Sequence, residues 1–339
     1  MPDSQILSVK AASPGAGRRW FSWAMAIPLA AVLLYYSLRG VDWPVVWRTV
    51  AAAQWPLVAG AGLFTCFSFF LRALRWRVLL NAEAKLPVSE VFCANMSGYL
   101  GNSFLPARAG ELVRSLIVSS RSSLSKTYVL TTALSERMMD AITLVLCSSV
   151  VLMGVEPKPA WLADVSRVTA TGALAGAILI AVLPHTGNLC RRILEALHLP
   201  NKLHHLFLHL TDQILLGLRA FHSVGRFAAF AAFTAVIWIS DTAGVLVCAR
   251  GLNLDFSFGT SMLLVAAMGL GSALPSTPGY VGIYQFVAVT VLVPFGYSKD
   301  SALAFILVAQ AIGYVTVLLL GLPAVYALKR RPAPLEARA

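Results

Sequence analysis

The fold is decided by two short breaks, SFLPARAG at residues 103–110 and SALPSTPG at residues 272–279. Both fit the pattern S-x-L-P-x-x-x-G, and each shared residue of the second break follows its counterpart by 169 positions. Each break interrupts a strongly apolar region with proline, glycine and polar residues. Paired broken helices in an inverted repeat mark the substrate site of many transporters. The two breaks therefore predict an inverted repeat with a site where its halves meet.

The composition indicates a membrane protein. Hydrophobic residues make up 58% of the 339 residues and charged residues only 12%, whereas soluble domains carry about 25% charge. The mean hydropathy is +0.74. Since roughly 20 apolar residues cross a bilayer, we predict an all-α polytopic membrane protein with about six full spans, at 20–38, 56–80, 127–153, 165–184, 226–249 and 302–327.

Basic residues set the predicted orientation, because Lys and Arg collect in cytoplasmic loops. The tails 1–19 and 329–339 are both basic, so we expect both termini in the cytoplasm and a membrane domain over 20–328 in the cytoplasmic (inner) membrane. The half-repeats 56–153 and 226–327 then cross the membrane in opposite senses.

The two broken regions, 88–120 and 258–296, are predicted to be re-entrant hairpins, one entered from the cytoplasm and the other from outside. In the alternative, 88–105 or 258–274 is a full span, because about 17 residues is the lower limit for crossing a bilayer. The sequence leaves this alternative open.

The segment 185–225 between the half-repeats is predicted to be an amphipathic cytoplasmic helix at the membrane surface. All six His residues lie there. His205 and His209 have a helical spacing, but no carboxylate or Cys stands beside them, so we expect neither a metal nor a cofactor. The formal net charge of +12 is attributed to the cytoplasmic loops, and nucleic acid is not an expected partner.

Charged residues at membrane depth are costly and point to function. Glu136, Arg137 and Asp140 lie within span 127–153, and Asp241 lies within span 226–249. We predict that these four gate the site or couple it to protons. Two carboxylates one helical turn apart need cations, and the candidate partners are Arg75, Arg108 and Arg114. The alternative is a charge-neutral network that only holds the hairpin in place.

The breaks themselves are predicted to bind the substrate. Proline and glycine open half-helices there, and exposed N–H groups at helix starts attract anions. Arg108 lies in the first break, and we expect it to hold a phosphate-bearing head group. The other predicted substrate-binding residues are Arg75, Glu111, Arg114, Ser272, Thr277, Gly279, Gly282, Tyr284 and Gln285. For Gly282, close helix packing is an equal alternative.

Several motifs together resemble the flippase-like lysylphosphatidylglycerol synthase transmembrane family. They are LRWRVLL (74–80), PARAGE (106–111) with Arg114, ERMMD (136–140) and PGYVGIYQ (278–285). In the last motif Tyr280 replaces a glycine, and Gln285 stands where the family often has Glu. The resemblance covers roughly residues 20–328 and implies lipid handling in the cytoplasmic membrane, by a membrane domain without the aminoacyl transferase domain that some members carry.

The leading hypothesis is a lipid translocase that moves or binds a phosphate-bearing or glycosylated lipid between leaflets. The alternatives are an ion-coupled transporter of a small anionic solute, or a membrane enzyme or scaffold of lipid biosynthesis. No catalytic constellation is visible, so enzymatic activity is not expected. The expected partner is a membrane lipid with an anionic head group. Lipid-biosynthesis enzymes and a second copy of the chain are further candidate partners.

Overall fold

The computed structural model describes residues 16–105, 109–154, 223–273 and 277–330, with some positions between 167 and 178. Side chains are described from residue 27 onward. Within these ranges every long regular element is an α-helix, as predicted. Numbered along the described chain, the helices are α1 Ala16–Leu38, α2 Trp43–Ala51, α3 Trp55–Leu80, α4 Val88–Phe104, α5 Gly110–Arg121, α6 Lys126–Met153, α7 Val224–Gly251, α8 Phe258–Gly271, α9 Ile283–Leu292 and α10 Lys299–Arg330.

Four described segments are long and apolar enough to cross a membrane: α3, α7, α10 and the stretch Pro278–Phe295, which includes α9. Helix α6 has 28 residues, which at about 1.5 Å per residue also suffices to cross. Its three central charges lower its hydropathy. The predicted span 165–184 falls largely outside the described residues, and the amphipathic segment 185–225 falls almost wholly outside them.

The helices repeat with the spacing of the two breaks. Helices α7, α8, α9 and α10 begin 169, 170, 173 and 173 residues after α3, α4, α5 and α6. An ion pair supports the same register, because Arg72 on α3 contacts Asp241 on α7 at 2.6 Å and the two positions differ by 169. The internal repeat therefore extends from sequence to structure.

The first break produces a helical hairpin. Near its open end Arg121 on α5 lies 3.7 Å from Glu90 on α4, and further in Arg114 donates a hydrogen bond to Asn95. A Cβ added to Gly101 would lie 3.1 Å from the Cα of Gly110 at the turn. From the open end of the hairpin to its turn, the contacting residues fall in number along α5 and rise in number along α4. The two helices therefore run antiparallel.

Small residues let this hairpin close. Gly110, Arg114 and Val118 are buried at a helical spacing of four, and α5 packs this face on α4. A side chain at Gly98 would lie 2.9 Å from the carbonyl oxygen of Gly110. The two backbones therefore touch, which only glycine permits at these positions.

The second break is longer and more irregular. It joins α8 to α9 through a short 3₁₀ turn at Pro278–Tyr280, and Gly271 at its start packs beside Ile283 and Val287. Gly279, Tyr280 and Gly282 all have positive φ angles, of 68°, 61° and 91°. Helix α8 has 14 residues and α9 has 10, about 21 and 15 Å long. Each is shorter than the roughly 30 Å hydrocarbon core, as a broken helix requires.

Two large apolar clusters connect most of the helices. The larger joins α2, α3, α7, α8, α9 and α10, and the smaller joins α3, α4, α5 and α6 around buried Trp76 and Tyr128. Between them, the helices that flank the two breaks leave a cavity.

Candidate functional site

The cavity lies where the two breaks meet. Its volume is about 430 Å³, which is within the range of small-molecule sites. Residues in or next to the first break (Asn102, Ser103 and Glu111) and in or next to the second (Ser272, Ala273, Gly279 and Tyr280) line it together with side chains of α3, α6, α7 and α10. The cavity lies beside both breaks, and its use as the substrate site stays a prediction.

Arg75 is the centre of a buried charge network. Its Nη1 and Nη2 donate to the two carboxylate oxygens of Asp140 at 2.6 and 2.9 Å, and its Nε and Nη2 donate to Glu136 at 3.2 and 2.8 Å. Nη1 also donates to the hydroxyl of Thr234 at 3.1 Å. All five guanidinium N–H groups therefore have acceptors. Arg75 is fully buried and does not line the cavity, so it orients the two acids from behind.

Arg114 attaches the first hairpin to this network. It donates to Asn95 at 2.8 Å and to the second oxygen of Glu136 at 3.0 Å, and it lies 2.6 Å from Glu111. Its guanidinium lies 4.4 Å from the ring centroid of Trp76, within cation–π range. The contacts join α3, α4, α5 and α6, and the arrangement fits the structural alternative for Arg75, Arg114 and Glu136.

Arg137 differs because it lines the cavity. It lies 3.4 Å from Glu111, 3.6 Å from Glu136 and 3.4 Å from Asp140. Within the described ranges its Nε and Nη2 atoms are buried and have no hydrogen-bond partner. Of the two described arginines that line the cavity, Arg72 and Arg137, Arg137 has the longer ion-pair contacts.

A second ion pair lies on the cavity wall. Arg72 contacts Asp241 at 2.6 Å, and its guanidinium is 4.9 Å from the ring centroid of Trp238. All three residues line the cavity. Around the cavity and behind it, the described charges balance as four arginines, Arg72, Arg75, Arg114 and Arg137, and four acids, Glu111, Glu136, Asp140 and Asp241.

The second break and its neighbours contribute uncharged hydrogen-bonding groups and aromatic rings to the cavity wall. The carbonyl oxygen of Gly279 accepts hydrogen bonds from the amide of Gln310 and the hydroxyl of Tyr314, both at 2.8 Å. The rings of Tyr280 and Tyr284 stack at 4.9 Å with an angle of 15° between their planes. These five residues all line the cavity. One part of the wall is therefore aromatic and hydrogen-bonding rather than charged.

At the start of each half-helix, a side chain of the protein itself accepts the hydrogen bond of a backbone N–H group. The N–H of Gly110 donates to the side chain of Asn102 at 2.8 Å, and the N–H of Gly282 donates to Gln285 at 2.7 Å. Gln285 also donates to Gln310 at 2.6 Å. A side chain at Gly282 would lie 2.8 Å from the carbonyl oxygen of Ala30 on α1, which fits the packing alternative for this glycine.

The predicted site residues therefore fall into groups. Glu111, Arg137, Asp140, Asp241, Ser272, Gly279 and Tyr284 line the cavity, whereas Arg75, Arg114, Glu136, Thr277, Gly282 and Gln285 do not. Arg108 lies outside the described residues. The individual roles of all these residues stay predictions.

Sequence reasoning missed several polar residues of the wall and its support. Asn95 and Asn102 hold the first hairpin, and Gln310 and Tyr314 hold the second break. Gln310 gave a usable signal, because it is a polar side chain inside the long apolar run 302–327. The asparagines gave less, since both lie within a shorter helix.

The fold defines a multi-pass membrane protein with a cavity between two broken helices. The chain belongs to the lysylphosphatidylglycerol synthase TM region family, whose profile matches residues 23–321. It is also similar to Glycosyltransferase AglD of Haloferax volcanii, with 27% identity over 304 residues. This match covers 78% of the chain and 46% of the relative, so the chain spans about half the relative's length. No solved structure matches the chain.

These comparisons confirm the resemblance seen in the motifs and indicate a function connected with membrane lipids. They also correct one expectation. The sequence predicted a protein without enzymatic activity, because no catalytic constellation was visible. That expectation is contradicted, because a relative of the chain is named as a glycosyltransferase.

Proposed function

We propose that this protein is a lipid translocase of the cytoplasmic membrane, which binds a phosphate-bearing or glycosylated lipid and moves its head group between leaflets. The observation that supports this proposal is the cavity of about 430 Å³ that contains residues of both breaks. A site shared by two broken half-repeats suits alternating access, since either half can then open against the other.

Arg137 is the proposed contact for the phosphate. Moving an anionic head group across hydrocarbon is costly, and a guanidinium group on the cavity wall replaces some of the lost hydration. Arg72 is already paired at 2.6 Å, and Arg75 has no free donor. Arg137, held only by contacts of 3.4–3.6 Å, can turn from its acids to a phosphate at the smallest cost.

The relative named as a glycosyltransferase supports the glycosylated alternative and suggests that enzymes of lipid biosynthesis are partners of this membrane domain. Cytoplasmic termini, as proposed from the basic tails, would leave both ends of the chain on the side where activated sugars are available.

Leaflet exchange in proteoliposomes tests the proposal. Wild type, Arg137→Gln and Arg250→Gln are reconstituted with head-group-labelled phosphatidylglycerol or a labelled glycosyl phospholipid, and access of an external quencher is followed. We expect exchange with wild type and a loss of about tenfold in Arg137→Gln, because a charge-assisted hydrogen bond is worth about 1.5–3 kcal/mol. Arg250→Gln is the matched control, since Arg250 is exposed at the end of α7.

Each outcome has a separate meaning. Wild type that exchanges neither lipid overturns the translocase. Equal exchange by wild type and Arg137→Gln overturns the role of Arg137 alone. Inhibition by soluble phosphate without any lipid exchange favours a transporter of small anions.

A further inference from the structure

Tyr280 has a backbone conformation that needs an explanation. Its φ angle is 61°, in the left-handed region that side chains other than glycine rarely adopt. Strain of this kind persists where the surrounding structure enforces it, and it is concentrated at ligand sites. The resemblance described above places a glycine at this position, so the tyrosine adds both a ring and a strained backbone.

Tyr280 also belongs to a stacked aromatic pair on the cavity wall. The ring of Tyr280 lies nearly parallel to that of Tyr284, four residues later, with centroids 4.9 Å apart. Both side chains are partly exposed, and both line the cavity. Aromatic rings bury large apolar areas and rigidly present one face. We call this ring pair the tyrosine platform.

Neutral hydrogen-bonding groups accompany the platform. The amide of Gln310 and the hydroxyl of Tyr314 converge on the carbonyl of Gly279, and both line the cavity near the second break. An amide oxygen and a phenol each have two acceptor sites, so capacity remains beyond the bonds already made. In the described part of the second break, residues 272–273 and 277–282, no side chain is charged.

A flat aromatic face with neutral donors and acceptors is suited to a sugar ring. The C–H face of a hexose stacks on an aromatic ring, while its hydroxyl groups exchange hydrogen bonds with amides and phenols. An ammonium group also binds aromatic faces, but it favours an unpaired carboxylate, and Glu111, Asp140 and Asp241 are all paired with arginines. The described residues therefore favour a neutral ring over a cation.

We propose that the head group taken up by the cavity is a sugar phosphate, with the sugar ring on the tyrosine platform and the phosphate on Arg137. This inference rests on the proposed lipid translocase and specifies its substrate class. The two chemistries then come from different halves of the repeat: the phosphate contact from α6 and the sugar contact from the second break, α9 and α10.

Paired substrates test the sugar contact. Proteoliposomes carry either a polyprenyl phosphate or the same polyprenyl phosphate bearing a hexose, and the ratio of the two exchange rates is measured. We expect wild type to prefer the hexosylated lipid by at least tenfold. Tyr284→Leu and Tyr280→Gly should lower this ratio about tenfold, Tyr280→Phe should keep it because the ring remains, and the exposed Tyr326 provides the control Tyr326→Leu.

A ratio that Tyr284→Leu leaves unchanged overturns the sugar contact, because both rates then depend on the ring only through packing. A wild type that prefers a phosphocholine lipid overturns it in favour of a cation. Calorimetry in detergent separates this inference from the translocase itself. Hexose 1-phosphate should bind wild type at least tenfold more tightly than inorganic phosphate does, and equal affinities overturn the proposal even where lipids are exchanged.

Discussion

The two half-repeats have the same helices but are held together by different forces. In the first half, Arg75, Arg114, Glu136 and Asp140 form a buried network of ion pairs. The positions 169 residues later in the second half are Gly244, Ile283, Phe305 and Ala309. Each charged group of the first half thus corresponds to an apolar residue or glycine in the second.

This difference follows from how each half packs. Phe305 and Ile283 are almost fully buried in apolar surroundings, and Gly244 lets α7 approach α3 closely, with a Cβ there lying 3.1 Å from Phe64. The second half therefore gains stability mainly from apolar packing. The first half instead balances buried charges, a costly arrangement that needs every partner. The charged network is present in the first half alone. We infer that the first half has a role that the second half does not share.

Removing one ion-pair partner from the first half should have the largest effect on the stability of the protein. Glu136→Leu leaves Arg75 and Arg114 without their shared carboxylate, and breaking a buried ion pair costs about 3–5 kcal/mol. We expect a strong fall in the melting temperature in detergent. Phe305→Leu, at the equivalent apolar position, should cost only about 1–2 kcal/mol, because a volume change is partly absorbed by repacking. Equal losses at the two positions would contradict the comparison.

Alanine substitutions at the equivalent glycines Gly110 and Gly279 are expected to have an intermediate effect on stability. A Cβ at Gly110 would collide with the backbone carbonyl of Gly98, which cannot move without opening the hairpin, so Gly110→Ala should cost about 3 kcal/mol. A Cβ at Gly279 would collide with the side chain of Tyr314. That ring can rotate, and Gly279→Ala should cost about 2 kcal/mol, mostly through its positive φ angle.

Thermal unfolding of both alanine variants checks this order. Adding Tyr314→Leu should partly restore the melting temperature of Gly279→Ala, because the collision is then removed and only the backbone strain remains. Gly110 has no corresponding rescue, since it contacts backbone. A larger loss at Gly279 than at Gly110 would mean that the second break is the more rigid of the two.

The architecture could be predicted because it is encoded locally. A span of apolar residues marks each long helix, and proline with glycine marks each break, so α3, α6, α7 and α10 begin within a few residues of their predicted starts. The repeated break motif also located the cavity, since helices related by one offset bring their breaks together. These signals need no knowledge of which helices touch.

The partners of the charged residues could not be predicted in the same way. Helical spacing places Glu136 and Asp140 on one face of α6. Only the packing of α3 against α6 and α7 determines that Arg75 donates hydrogen bonds to both acids and to Thr234. The capping of Gly110 by Asn102 likewise depends on the closure of the hairpin. Tyr280 is visible as a departure from a glycine pattern, yet neither its positive φ angle nor its stacking on Tyr284 could be predicted from the sequence.

The smallest net effect on stability is expected where equivalent positions of the two halves contact each other. Arg72 and Asp241 occupy equivalent positions in the two half-repeats and pair at 2.6 Å across the interface of α3 and α7. If a pseudo-two-fold axis relates the halves, exchanging the residues restores a similar ion pair. The double variant Arg72→Asp with Asp241→Arg should therefore lie within about 1 kcal/mol of wild type in stability.

Each single exchange places two like charges side by side at partial burial, and should be destabilising by about 2 kcal/mol or more. Thermal unfolding of the four proteins in the cycle measures the coupling between the two positions. The swapped pair loses the contact of Arg72 with Trp238, and this loss accounts for the remaining difference of about 1 kcal/mol. A double variant as unstable as the singles would mean that the equal spacing of 169 residues does not correspond to equivalent surroundings. The repeat would then describe the helices but not their contacts.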